Sequence, residues 1–143
     1  MTEKIEWDEK YSVDVPEIDK YQKELFDKFN ELIDMRASKK MDPKVATNLV
    51  SDLNDYTKMF FNKEESLLKR KKYPDLDVHA KAHRQFIKNS IGLRREIAED
   101  INNLSMDVIV ELRDWLVDHI ETSDSLYVPF LRINQYIEDC RKK

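Results

Sequence analysis

The sequence predicts an all-α fold: an antiparallel up-down-up-down four-helix bundle with an extended N-terminal arm and a short C-terminal helix. Three observations carry that expectation. Apolar residues recur at helical spacing in four long stretches. The 143 residues include one glycine and four prolines, too few turn residues for a many-stranded sheet. Start and stop signals (Asp42-Pro43, Tyr73-Pro74 and Ser105) fall between those stretches.

The chain reads as a single domain over residues 1–143, with an arm at 1–16, a bundle at 17–133 and a tail at 134–143. In the arm, Trp7, Tyr11, Val13 and Val15 precede Pro16, and the alternation of the last three predicts an extended segment laid along the bundle. Helix A is expected from about Glu17 to Arg36. Its stripe is Ile18, Leu25, Phe26, Phe29, Leu32 and Ile33, with Gln22 falling on it.

Asp42 then supplies an N-cap and Pro43 a first helical residue. Helix B follows to about Lys72, with Leu49, Leu53, Tyr56, Phe60 and Leu67 in line and Glu64 among them. Tyr73-Pro74 stops it, because a residue before proline avoids the α region. Helix C is expected from near Asp77 and carries His79, His83, Phe86, Ile87, Ile91 and Ile97. Gly92 inside it costs about 1 kcal/mol relative to alanine, which suggests close packing there. Ser105 is expected to cap helix D, with Val108, Leu112, Trp115, Leu116 and His119 facing inward. The helical pattern resumes through Tyr127, Phe130 and Leu131 to a basic tail.

Composition narrows the function. A net charge of -4 gives no reason to expect a nucleic-acid partner, and the basic run Lys69 to Lys72 is balanced by acidic neighbours. No stretch is apolar enough to predict a membrane span, and the N-terminus shows no signal-peptide pattern, so the expected location is the cytoplasm. The single cysteine, Cys140, can form no internal disulfide; an intermolecular one is the minor alternative to a reduced thiol.

The chemistry concentrates in the polar exceptions on the apolar stripes. His79 and His83 are four apart and leave the same helix face. His119 continues the inner face of helix D, Asp124 follows five residues on, and Glu64 stands between Phe60 and Leu67. Three nitrogen and two oxygen ligands from three helices form a set that holds a cation inside a bundle. Surface histidines, with Glu64 and Asp124 in structural ion pairs, are the competing reading.

The sequence resembles the hemerythrin family, specifically the bacterial hemerythrin domain, over nearly its whole length. The matching stretches are Trp7 with Tyr11 to Val13, Ile18 to Phe26, Phe61-x₂-Glu64-Glu65, Tyr73-Pro74, His79-x₃-His83-x₂-Phe86, and Trp115-Leu116-x₂-His119-Ile120-x₃-Asp124-x₂-Tyr127. The resemblance implies iron inside the bundle. One iron would take His79, His83 and His119, and Glu64 and Asp124 would bridge to a second.

The sequence departs from the family at that second, O₂-binding iron. Its two histidine positions are Gln22 and Phe60 here. Phenylalanine cannot ligate, and a glutamine carbonyl prefers hard cations. The resemblance therefore implies a non-haem iron protein whose family role is O₂ binding, storage or sensing, with one intact metal position. Zinc or manganese would also suit the ligand set. An open position could take O₂ or NO. Reversible O₂ carriage in the family uses one electron from each of two irons, so a single iron argues against it.

Three other readings stay open. One is a mononuclear redox enzyme acting on superoxide or peroxide, with Tyr127 or Gln22 as the candidate proton donor. Another is a non-catalytic scaffold with a structural or vestigial metal, binding a protein partner or a second copy of itself. In the last, two metals bind, with Gln22 and water completing the second position.

Overall fold

The computed structural model describes residues 4–38 and 42–141, apart from the side chains of residues 123–125. The helices are α1 (Pro16–Ala37), α2 (Pro43–Arg70), α3 (Leu76–Glu99), α4 (Met106–His119) and α5 (Ser125–Arg141). α4 passes into α5 through a π-helical turn at Ile120–Asp124. Among the described residues there is no strand. α2 packs between α1 and α3, and α1 also packs on α4, which encloses the core of the bundle.

The local signals act where the sequence puts them. Pro43 opens α2, and the Asp42 carboxylate accepts from the Lys44 N–H at 2.9 Å. The Ser105 hydroxyl accepts from the Val108 N–H at 3.2 Å, capping α4. α2 ends before Tyr73-Pro74 in a left-handed turn: Lys72 has φ 59°, and the Tyr73 N–H bonds back to the Leu68 carbonyl at 2.9 Å.

The arm lies along α1, as its sequence predicts, but residues Glu9–Tyr11 make a short 3₁₀ turn instead of staying extended. It is pinned at both ends. Asn30 exchanges two hydrogen bonds with the Ile5 backbone, at 2.9 and 2.8 Å. Asp19 accepts from the Val13 N–H at 2.9 Å and from the Ser12 hydroxyl at 2.5 Å. Tyr11 meets Phe26 edge-to-face, so the arm contributes to the core.

Every stripe residue expected on α1 is buried, Gln22 included. α2 differs, because it touches neighbours on two sides and buries a wider face. Val50, Asn54, Thr57, Phe61 and Leu68 are buried beside Leu53, Phe60 and Glu64, while Leu49, Tyr56 and Leu67 are half-buried. On α3, Ser90 and Leu93 are buried in place of Ile87 and Ile91. On α4 the deepest residues are Ile109, Leu116 and His119. Val108, Leu112 and Trp115 instead line a groove of about 570 Å³ between α3 and α4.

That groove corrects the expectation for Gly92. A Cβ built there meets nothing within 4 Å, so close packing is not the reason for the glycine. Gly92→Ala is accordingly expected to raise the unfolding free energy by about 0.5–1 kcal/mol, measured by urea denaturation, because it reduces backbone freedom in the unfolded chain without a clash.

The helix α5 continues to Arg141, so the segment from 134 expected as a tail is helical. Cys140 is exposed on it. No described helix is long and apolar enough to cross a membrane.

Candidate metal centre

The bundle brings Glu64 of α2, His79 and His83 of α3, and His119 of α4 into one buried cluster. Relative exposures are 0, 4, 1 and 4% respectively, and one ligand atom from each lies within 4.8 Å of the others. The histidine ring centroids are 4.5 to 4.9 Å apart. Surface histidines are thereby ruled out. The side chain of Asp124, the fifth expected ligand, lies outside the described residues.

The chemistry of the donor set fits one cation, and its spacing is close to what one cation needs. Metal–nitrogen and metal–oxygen bonds of about 2.1 Å put neighbouring octahedral donors about 3 Å apart and opposite ones about 4.2 Å apart. Glu64 Oε1 lies 3.1 Å from His83 Nε2 and makes a short contact to His79 Nε2. Imidazole and carboxylate together suit divalent iron, manganese or zinc.

Residues around the cluster hold these ligands in place. His83 Nδ1 lies 3.0 Å from Glu65 Oε2, so that nitrogen carries the proton and Nε2 keeps its lone pair for a metal. The Tyr127 hydroxyl, fully buried, donates to Glu64 Oε2 at 3.1 Å. The two oxygens of Glu64 are therefore divided, one among the histidines and one on Tyr127. The Phe61 ring stacks on His83 with centroids 3.8 Å apart and planes 1° apart, and Trp115 stacks on His119 at 4.9 Å and 10°.

Burial pulls the His83 pKa down, but hydrogen bonds to Glu64 and Glu65 outweigh it and leave the imidazole above its ordinary value. A cation must displace that proton, so acid competes with metal uptake. Losing an outer partner of a metal-ligating histidine typically weakens binding about 10–100-fold. Glu65→Ala is expected to weaken metal affinity by that order, read by competition with a chromophoric chelator, because the His83 tautomer is no longer fixed.

The two altered positions, Phe60 and Gln22, are both buried and in contact with their neighbours. Phe60, 0% exposed, meets Tyr21 edge-to-face at 6.3 Å and Phe61 at 5.7 Å. The Gln22 Oε1 accepts from the Trp7 indole N–H at 2.9 Å. An indole nitrogen only donates, so the amide oxygen must face Trp7 and the NH₂ group is the other end. That group is buried with no hydrogen-bond partner among the described residues. Such an unpaired donor costs on the order of 1–3 kcal/mol.

Two features of this shell escape sequence reasoning. Glu65 is sequence-adjacent to Glu64 but lies about 100° around the helix, so its reach to His83 has no periodic signal. The pairing of Trp7 with Gln22 joins an arm to a helix without a spacing rule. The π turn does leave a trace. Residues five apart on an α-helix point about 140° apart, whereas a turn closed by i→i+5 bonds brings backbone positions 119 and 124 toward one face. Pro129, inside α5, marks the disturbed hydrogen-bond pattern nearby.

Comparison with known families matches residues 13–131 to the Hemerythrin HHE cation binding domain. A myohemerythrin from Theromyzon tessulatum is 32% identical over 127 residues, covering 89% of this chain and 93% of that protein. A bacteriohemerythrin from Methylococcus capsulatus is 31% identical over 113 residues, covering 79% of this chain and 85% of that protein. Among solved structures, a wild-type hemerythrin crystal structure superposes with a TM-score of 0.81 at 28% identity, over 87% of this chain and 95% of that one. The buried histidine–glutamate cluster, the bundle around it and these matches agree: this chain belongs to the hemerythrin family.

Proposed function

We propose that this protein is a cytoplasmic, single-metal hemerythrin that takes iron at His79, His83, His119 and Glu64, with Asp124 as fifth ligand, and binds a small ligand such as O₂ or NO at the sixth position. The observation that carries the reading is the state of the two altered residues: Phe60 packs against Tyr21 and Phe61, and the Gln22 oxygen is taken by Trp7. The division of the Glu64 oxygens supports it, since Tyr127 holds the one that would otherwise be free to bridge. Iron held by these residues would supply a redox-active centre for such a ligand. The chain supplies a water-poor pocket, the fixed His83 tautomer and an oriented carboxylate.

Sensing or storage of a small ligand fits this arrangement better than two-electron, reversible O₂ carriage. A redox enzyme acting on superoxide or peroxide is the second reading, and one contact favours it: the Tyr127 hydroxyl, a proton-bearing group, donates a hydrogen bond to the ligand carboxylate.

The double variant Gln22→His with Phe60→His tests the proposal by restoring the two missing donors. Its metal content is expected to rise from one to two irons per chain. An unchanged content in a correctly folded double variant would mean that these two residues do not limit metal number, against the proposal.

A further inference from the structure

Gln22 is a fully buried amide on the core stripe of α1, at the level of Phe60 on α2, since the adjacent Tyr21 meets both Phe60 and Tyr56. Phe60 in turn is one helical turn from Glu64. The amide is held by a built anchor. The Trp7 indole N–H fixes its oxygen at 2.9 Å, the Lys23 ammonium covers the Trp7 ring at 4.3 Å, and Asn30 pins the arm two residues earlier at Ile5.

This anchor determines which chemistry faces the core. With the oxygen committed to Trp7, what Gln22 has left are two N–H donors, and neither has an acceptor among the described residues. An NH₂ group has no lone pair to give a cation, so this end repels a second metal ion and attracts an acceptor. An unpaired donor in a dry site is worth most when the group it meets carries negative charge.

We propose that Gln22 is a specificity-determining hydrogen-bond donor for a small anionic ligand at the open metal position, the class to which azide and superoxide belong. The inference rests on the single-metal reading above. Trp7 is its positioning residue: it sets the amide so that the NH₂ end, and not the oxygen, meets the ligand.

Azide is the probe. The oxidised iron protein is titrated with azide by its charge-transfer absorption, with iron content and thermal unfolding measured on the same samples. Gln22→Leu is expected to weaken azide binding at least tenfold, while iron stays at one per chain and the unfolding temperature does not fall. Gln22→Glu keeps an acceptor for Trp7 but loses the N–H donors, and is expected to bind azide still more weakly; it decides the matter if the leucine variant fails to fold. Trp7→Phe is expected to fall between wild type and Gln22→Leu. In both wild type and variants the infrared azide stretch reads the hydrogen bond directly, and it should shift when the donor is removed. An azide affinity within twofold of wild type in the Gln22 variants, with an unshifted stretch and iron still at one per chain, overturns the inference and leaves Gln22 as a bracket for Trp7. Two irons per chain in the wild type, seen before azide is added, overturns the single-metal reading and this inference with it.

Discussion

Replacing His119 with alanine is expected to reduce metal affinity by more than about 100-fold, exceeding the roughly 10–100-fold effect of losing an outer partner of a ligand. His119 is the one ligand that α4 contributes to the cluster among the described residues, so without it the set loses one of its three imidazoles and its only donor from that helix. The two donors of α3, one turn apart, cannot by themselves enclose a metal within the bundle. Competition with a chromophoric chelator measures the loss. The fold should survive, because α4 retains Ile109 and Leu116 in the core, and an unaltered helical circular dichroism spectrum would separate lost ligation from lost structure. Full metal retention by the variant would mean that the cation sits elsewhere.

Phe61→Ala carries the largest expected stability effect, a loss of about 3–5 kcal/mol in unfolding free energy by chemical denaturation. Phe61 is 2% exposed and touches four rings: His83, Phe60, Phe86 and His119. Truncation leaves a cavity that these large, rotamer-locked neighbours cannot readily fill. Against a typical total of about 5–15 kcal/mol, that is roughly a fifth of the fold's stability or more. The same change removes the surface on which His83 stacks, so metal affinity should fall with stability. Phe61→Leu, which refills most of the volume but restores no stacking, separates the two: stability should largely return and metal affinity only in part. Equal recovery of both would show that stacking does not position His83.

The parts of this architecture that were legible in the sequence share a physical reason. α1 lies along the bundle with one broad buried face, so its 3.6-residue stripe, Gln22 included, reads directly as its core. α2 packs on two neighbours, and a stripe drawn through Leu49, Tyr56 and Leu67 follows the flank of a wider face whose centre is Asn54, Thr57, Phe61 and Leu68. Gly92 misled for a related reason. Its cost in a helix is readable, but the open groove between α3 and α4 that removes any packing motive is a tertiary fact.

At the site, Glu64, His79, His83 and His119 were visible because each interrupts an apolar stripe, and a buried polar group without a partner is expensive. Phe60 and Gln22 were visible as departures from the hemerythrin pattern, but their consequences were not. Nothing in the order of residues says that Trp7 takes the Gln22 oxygen or that Tyr127 takes one oxygen of Glu64. Those contacts join segments 15 and 63 residues apart, at which distance periodicity carries no information.

The single-metal reading keeps one half of a two-iron centre and has Phe60 and Gln22 in place of the two histidines of the other half. Metal analysis of the purified protein, paired with its absorption spectrum in air, tests it most directly. One iron per chain and no oxo-bridged diferric bands are expected. Two irons per chain with those bands would contradict it.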